Sequence, residues 1–190
     1  CIGRIIMNAE IDITCVVLKT SRLLLRPWKM SDLDDFYEYA KVDGVGQMAG
    51  WLPHKNKEES KQVLTKFIEN KITFAIVYDN KVIGSIEIKK YNENNLKEFS
   101  NLKGRELGYV LSKDYWGNGL MTEAVKKVIE YLFNIVKLDF IVCGHFLNND
   151  RSRRVQEKCG FVHYKIFKYE TSYGKIVDSW TSILLNNQNK

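Results

Sequence analysis

Apolar positions along the chain change period several times, and each change marks an element. Ile11, Ile13, Cys15 and Val17 alternate with other residues and Leu23-Leu24-Leu25 follows, which predicts one or two strands before Pro27 stops the ladder. Behind Ser31, with Asp34 three residues on in the manner of a capping box, Leu33, Phe36, Tyr37 and Ala40 recur at helical spacing. After a loop, a second helix starts near Asn56, with Glu59 three residues on, and is expected to bury Val63, Leu64, Phe67 and Ile68. Thr73 to Val77 and Lys81 to Ile88 are strand-like runs flanking Asp79-Asn80, a tight hairpin turn.

Asn92 to Gly104 is polar and loop-like, and Glu106 to Leu111 is the next strand. A glycine-containing turn leads into a helix whose Met121, Val125, Val128 and Leu132 share one face. Asp139 to His145 reads as a strand, and Asn149 or Asp150 caps a short helix that stops at Cys159-Gly160, where glycine suits a left-handed cap. Phe161 to Tyr169 and Ile176 to Leu185 finish as strands around Ser172-Tyr173-Gly174. The order β-α-α-β-β-β-α-β-α-β-β predicts an α+β domain with a mixed, mostly antiparallel sheet of about seven strands and about four helices, parallel only where a helix crosses between neighbours. Without an internal repeat or a Pro- or Ser-rich linker, residues 1–190 read as one domain, with 20–185 as its core and 1–19 as an N-terminal extension or extra strand.

Composition narrows the class. A hydrophobic content of 45% in 190 residues suffices for one sizeable core, and 27% charged residues suit a soluble globular protein. Net charge +6 suits an anionic partner, which includes nucleic acid, an anionic membrane surface or a phosphorylated cofactor. Cys1, Cys15, Cys143 and Cys159 show neither disulfide-scaffold density nor paired zinc spacing, so they read as reduced thiols of a cytoplasmic protein. Cys143 and His145 with Cys159 and His163 fit no standard zinc pattern, and no metal is expected. No apolar run reaches the roughly 18 residues a membrane span needs. The start, Cys1 to Met7, has no signal-peptide core or cleavage site and reads as vector-derived or truncated.

The candidate chemistry begins at Gly117-x-Gly119. A strand running through such a turn into a helix offers backbone N–H groups at the positive end of the helix dipole, a ready site for a pyrophosphate, and Thr122 adds a hydroxyl. It is neither a Walker A loop nor a dinucleotide fingerprint. The segment Arg105-Glu106-Leu107-Gly108-Tyr109-Val110-Leu111 through Trp116-Gly117-Asn118-Gly119-Leu120-Met121-Thr122-Glu123-Ala124 resembles motif A of the GNAT N-acetyltransferase superfamily, and its RimJ/RimL-type branch in particular. Thr20 to Trp28 with Ser31-Asp32-Leu33, Phe74 to Ile88, and Asn149 to Phe161 resemble further segments of that branch in the expected order. Two positions depart from the superfamily pattern: Trp116 stands where Gln or Arg opens the turn, and Met121 where Gly or Ala closes it.

The resemblance implies a GNAT-like fold in which the strands near 106–111 and 139–145 splay apart to form an acetyl-CoA cleft. Acetyl-CoA would be the cosubstrate, its pantetheine pairing with the backbone of Tyr109, Val110 and Leu111 and with Asn149, and its pyrophosphate lying on Trp116, Gly117, Asn118, Gly119, Leu120, Met121 and Thr122. The Val110 N–H would polarise the thioester carbonyl. Glu106 would accept the amine proton, directly or through water, unless it is a strand-end ion-pair partner of Arg105. Many members carry a Tyr where this chain has Gln156, which cannot donate in that way; RimJ/RimL-type members resemble this chain in placing a Ser near the sulfur, which implies Ser152 as proton donor to the thiolate, unless its hydroxyl only caps the helix start. Arg151, Arg153, Arg154 and Lys158 would meet CoA phosphates or form a solvated face, and Trp51 and His54 would border the acceptor pocket. The implied function is transfer of an acetyl group to a primary amine in a ternary complex. A peptide or protein N-terminus of the ribosomal-protein type is favoured over a polyamine, amino acid or aminoglycoside. A CoA-binding sensor without turnover and a nucleic-acid binder are the competing readings. Neither a direct nucleic-acid nor a membrane partner is expected, and a homodimer is open because dimers are common in the family.

Overall fold

The computed structural model describes residues 7–187. Cys1 and the rest of the predicted start up to Ile6 lie outside the described residues. Eight strands form one sheet: β1 (Leu18–Lys19), β2 (Leu24–Pro27), β3 (Thr73–Tyr78), β4 (Lys81–Lys89), β5 (Gly104–Leu111), β6 (Phe140–Phe146), β7 (Val162–Glu170) and β8 (Ile176–Leu185). Their spatial order is β1-β2-β3-β4-β5-β6-β8-β7, and only β5 and β6 run parallel. Helices α1 (Leu33–Ala40) and α2 (Lys57–Asn70) cover one face, and α3 (Leu120–Asn134) and α4 (Asp150–Lys158) the other. The expected α+β class and the single parallel junction are both present, with eight strands rather than seven.

Local chemistry explains most boundaries. The Asn56 side chain accepts from Glu59 N–H (2.9 Å) to start α2, and Glu59 in turn accepts from Lys55 N–H (2.7 Å). The β3–β4 hairpin turns on Asp79 (φ 48°) and Asn80 (φ 64°), two left-handed residues of the kind a tight hairpin needs. Gly160 ends α4 at φ 88°.

Three expectations fail locally. Ile11 and Ile13 are buried, yet residues 9–17 pair with no strand; alternation reports which side chains face inward, not that a ladder partner exists. The capping box at Ser31 and Asp34 does not form. Asp32 does that work, accepting from Lys29 N–H (2.8 Å) while its carboxylate grips Arg26 at 2.8 Å on both oxygens. Ile68 lies on the exposed side of α2, and only Leu64 of the four apolar residues expected inside that helix is fully buried.

Candidate active site

The parallel junction opens part-way along. Register pairs run from Gly104 with Phe140 to Leu107 with Cys143 and stop, although β5 continues to Leu111 and β6 to Phe146. Past that point lies a cleft of about 760 Å³, floored by Gly108 and Gly144 and walled by β5, β6, the starts of α3 and α4, and β7.

Strand parity decides which amides face it. Ser112 N–H donates to Ile83 O (2.7 Å), and Ser85 pairs with Val110 in the same register. Hydrogen-bonded pairs alternate along an antiparallel ladder, so Val110 N–H is turned toward β4. On the other side Phe140 N–H donates to Lys103 O (3.3 Å), so odd-numbered residues of β5 face β6. The amides of Tyr109 and Leu111 therefore face the opening, and Val110 N–H, the expected oxyanion donor, does not. This corrects the sequence reading, from which parity cannot be seen.

The turn into α3 is built for close approach. Gly117 (φ 80°) and Gly119 (φ 73°) are left-handed, and the first intrahelical bond runs from Glu123 N–H to Gly119 O (3.1 Å). The N–H groups of Leu120, Met121 and Thr122 thus stand ahead of the helix ladder, where an anion is stabilised. Arg22 braces the turn from behind: Nη1 donates to Asn118 O (3.0 Å) and Nε to Glu123 (2.7 Å). Glu123 also accepts from Ser21, Thr20 and Arg22 N–H. Burial pushes its pKa up, but these donors outweigh it and hold the carboxyl down at about 2. Trp116 donates from its indole to Leu111 O (2.9 Å) and carries the Arg151 guanidinium 3.8 Å above its ring.

On the α1–α2 face of the cleft Glu106 pairs with Lys89 (3.0 Å), not with Arg105, which is buried and donates to Ala9 O (2.7 Å). Burial acts to lower the pKa of the Lys89 ammonium; the Glu106 carboxylate, with Tyr169 and Glu87, outweighs it and leaves the value raised. Cys143, just below the opening, is a free thiol pushed up to about 12, by burial first and by Glu106 second.

On the α3–α4 face the Ser152 hydroxyl meets the Tyr109 phenol (2.9 Å) and the Gln156 amide (3.3 Å). Gln156 also donates to Gly144 O (3.2 Å) and contacts His145 Nδ1 (3.0 Å). Asn149 caps α4 by accepting from Ser152 N–H (3.1 Å). Burial, ahead of all other causes, holds the His145 pKa down and the Tyr109 pKa well up, so both are neutral near pH 7.

Of the residues singled out from sequence, Glu106, Tyr109, Val110, Leu111, Trp116, Gly117, Gly119, Leu120, Met121, Thr122, Asn149 and Ser152 all line the cleft, and Asn118 lies just outside. Arg151, Arg154 and Lys158 line it too, whereas Arg153 is spent on Asp150 (3.1 Å) and Glu157 (2.9 Å). Trp51 and His54 are not brought to the cleft. His54 is buried, bonded to Ser60 (2.7 Å) and packed against Phe36 and Trp51. In that loop Gly44, Val45, Met48 and Ala49 are the lining residues, and β7 adds Phe167 and Tyr169 among others. Sequence reasoning missed the side chains of Lys89, Tyr109 and His145, although the period of two on β5 puts Tyr109 on the same face as Leu107. Among the described residues no three or more His, Cys, Asp or Glu side chains gather as a metal ion would require, and no helix is long and apolar enough to cross a membrane.

A family profile described as the Acetyltransferase (GNAT) domain matches residues 22–162. The uncharacterized N-acetyltransferase p20 of Bacillus licheniformis is 24% identical over 180 residues, covering 90% of this chain and 97% of the relative. Among solved structures, the ribosomal-protein-S5-alanine acetyltransferase of Vibrio fischeri superimposes with a TM-score of 0.71 at 24% identity, covering 92% of this chain and 99% of the other. The microcin C7 self-immunity acetyltransferase MccE, solved with acetyl-CoA and AMP, gives a TM-score of 0.72 at 18% identity over 87% and 93% of the two chains.

Proposed function

This chain belongs to the GNAT acetyltransferase family and is an acetyl-CoA-dependent N-acetyltransferase, and from that premise we propose that it is of the RimJ/RimL type, acting on the α-amine of a peptide or protein N-terminus by direct attack in a ternary complex. The residues present suit the cosubstrate: a glycine turn whose left-handed positions leave backbone N–H groups exposed, basic side chains from α4, and an opened parallel junction. Acetyl-CoA supplies a thioester carbonyl already activated for attack.

The chain's own groups divide the remaining work. Amides at the start of α3, with Arg151, Arg154 and Lys158, hold the pyrophosphate end. The amides of Tyr109 and Leu111 bind along the gap, and Tyr109 N–H, in place of Val110, hydrogen-bonds the carbonyl oxygen where negative charge develops. Glu106, on the acceptor side, takes the proton of the incoming ammonium directly or through a water. Ser152, across the sheet, donates to the departing sulfur. The observation that carries this reading is the parity of β5, which aims two amides at the gap opposite a helix-start anion site.

Lys89 supports the choice of acceptor. Its ammonium lies 3.0 Å from Glu106, so once Glu106 takes up the acceptor's proton one positive charge is left uncompensated at that wall, which repels a polyamine or aminoglycoside more than a peptide terminus with a single charge. The V. fischeri neighbour, a ribosomal-protein acetyltransferase, points the same way. Titrating coenzyme A into the protein by calorimetry, then following thiol release from acetyl-CoA with N-terminal peptides, spermidine, free amino acids and an aminoglycoside, tests both levels. Peptides are expected to give the highest kcat/KM; preference for spermidine would overturn the acceptor assignment, and absence of CoA binding would overturn the whole reading.

A further inference from the structure

The hydrogen bonds around Ser152 have a direction, and Gly144 O fixes it. A carbonyl oxygen only accepts, so the Gln156 group 3.2 Å from it is the amide NH2, and the same NH2 reaches Ser152 Oγ at 3.3 Å. Gln156 Oε1 then faces His145 Nδ1 at 3.0 Å, which must carry a hydrogen. That leaves His145 Nε2, buried and without a partner, as a bare lone pair.

Tyr109 completes the set. Its hydroxyl lies 2.9 Å from Ser152 Oγ and 3.2 Å from Ser152 O, and the Cys143 thiol, a weak acceptor, is its third neighbour. The carbonyl belongs to the α4 ladder, where it takes the N–H four residues on, so the nearer Oγ is the better acceptor for the phenol. A serine oxygen has two acceptor lone pairs and one hydrogen. In the arrangement where Tyr109 and Gln156 both donate, its lone pairs are filled and its hydrogen is left for the cleft, which Ser152 itself lines.

We infer that Tyr109 and Gln156 are positioning residues that aim the Ser152 proton into the cleft and, by donating to its oxygen, make that proton easier to give up. Gln156 thus takes part in proton donation without being the donor. The assignment rests on the acetyl-transfer reading given above. As the carbon–sulfur bond breaks with its electron pair on sulfur, Ser152 transfers its proton to sulfur. The acceptor enters as an ammonium and leaves as an amide, so its nitrogen loses two protons, which pass through Glu106 to solvent; one is matched by the proton Ser152 takes back and the other is released, so the enzyme returns to its starting state. Donation to Oγ from two neutral groups disperses the charge on the serine meanwhile.

The test is a double-mutant cycle with Tyr109→Phe and Ser152→Ala, read as kcat and the KM for acetyl-CoA. Each single variant is expected to lower kcat by roughly tenfold to a hundredfold, with KM within about twofold of the parent. Removing both should be no worse than Ser152→Ala alone. If the serine instead donates to the phenol, Tyr109→Phe frees its proton and kcat holds or rises, which overturns the inference. Losses that multiply, or a loss carried in KM, assign Tyr109 a merely structural role and overturn it as well. Nitrogen NMR of His145 gives a readout independent of turnover: the Nδ1–H tautomer is expected, and the Nε2–H tautomer would reverse the network and sink the proposal. Should the parent release no thiol with any amine, the acetyl-transfer reading falls, while the tautomer still decides the bond directions.

Discussion

Glu123→Gln is the most informative single perturbation, because one carboxylate ties the N-terminal segment to the glycine turn that opens α3. The Glu123 side chain is 18% exposed and that of Arg22 is 42% exposed. Its carboxyl titrates at about 2 against an ordinary value of 4.5. That gap corresponds to on the order of 3 kcal/mol of stability at neutral pH, with the Arg22 share reduced by solvent screening. The sign follows from the depressed pKa. Above about pH 4.5 both folded and unfolded carboxyls are ionised and the full contribution is present; as pH falls toward 2 the unfolded chain takes up the proton first, and the contribution is lost. The amide introduced by Glu123→Gln cannot accept from Arg22, Ser21 and Thr20 with both of its atoms, so the variant should lose about 2–3 kcal/mol at pH 7, a fall in Tm of roughly 5–10 °C for a domain of this size. Urea unfolding of both proteins at pH 7, 5, 4 and 3 checks the linkage, with about 2 kcal/mol of the difference expected to disappear between pH 7 and 3. A difference that stays constant across that range would refute the account of Glu123. Because Arg22 also holds Asn118 O, coenzyme A affinity should weaken by roughly threefold to tenfold, about 0.7–1.4 kcal/mol.

Gly119→Ala forces a Cβ onto a residue at φ 73°, which should cost about 1–2 kcal/mol of stability in thermal melts and weaken coenzyme A binding by calorimetry; unchanged affinity would separate the turn from the cofactor. Gly104→Ala drives a Cβ into the Phe140 ring at the closed end of the parallel pair, and the overpacking should cost roughly 1–3 kcal/mol in urea titrations. Lys89→Met removes the cation beside Glu106, and the kcat/KM ratio of spermidine to peptide should rise by about threefold or more, the scale of one partly screened charge pair. Val110→Pro deletes an N–H engaged by β4 and should destabilise the fold by about 1 kcal/mol or more. Leu111→Pro deletes one that faces the gap, and should weaken coenzyme A binding beyond the loss seen in Leu111→Ala.

Much of this was legible from the chain because it is local. Asn56 with Glu59, Asp79-Asn80 and Cys159-Gly160 state their boundaries in the residues that make them, and Gly117 and Gly119 announce a turn whatever it binds. What stayed hidden depends on partners far away in sequence. Asp32 displaces Ser31 and Asp34 as the cap because Arg26 approaches it from β2. Residues 9–17 alternate like a strand, yet their backbone bonds are a local turn, Val16 N–H to Ile13 O (2.9 Å), and one that Ile13 N–H donates to Lys71 O (2.9 Å). Trp51 and His54 have the chemistry of a pocket wall, yet Phe36 and Ser60 draw His54 inward. Glu106 sits beside Arg105 in sequence and takes Lys89 across the sheet instead, since adjacent strand residues point to opposite faces.

The opening itself has a reason in the order of strands. A parallel pair needs no hairpin, so nothing at the far end of β5 and β6 holds their tips together: β5 leaves into the α3 turn and β6 into the cap of α4. Each strand keeps a different antiparallel partner, β4 or β8, up to its last residue. Those partners continue to engage half of the backbone groups on each tip, so parting the strands exposes only the other half, and exposed amides without a partner are what a ligand with carbonyl groups can bind. Gly108 and Gly144 follow directly on the last paired residues and put no side chain on the floor. A larger residue at Gly144 would meet Ser179 Oγ at 3.3 Å and come within 3.9 Å of Glu106, narrowing the passage by which an amine on one face reaches a thioester held from the other. The two glycines, and not the turn alone, therefore govern whether acceptor and donor can meet through the sheet.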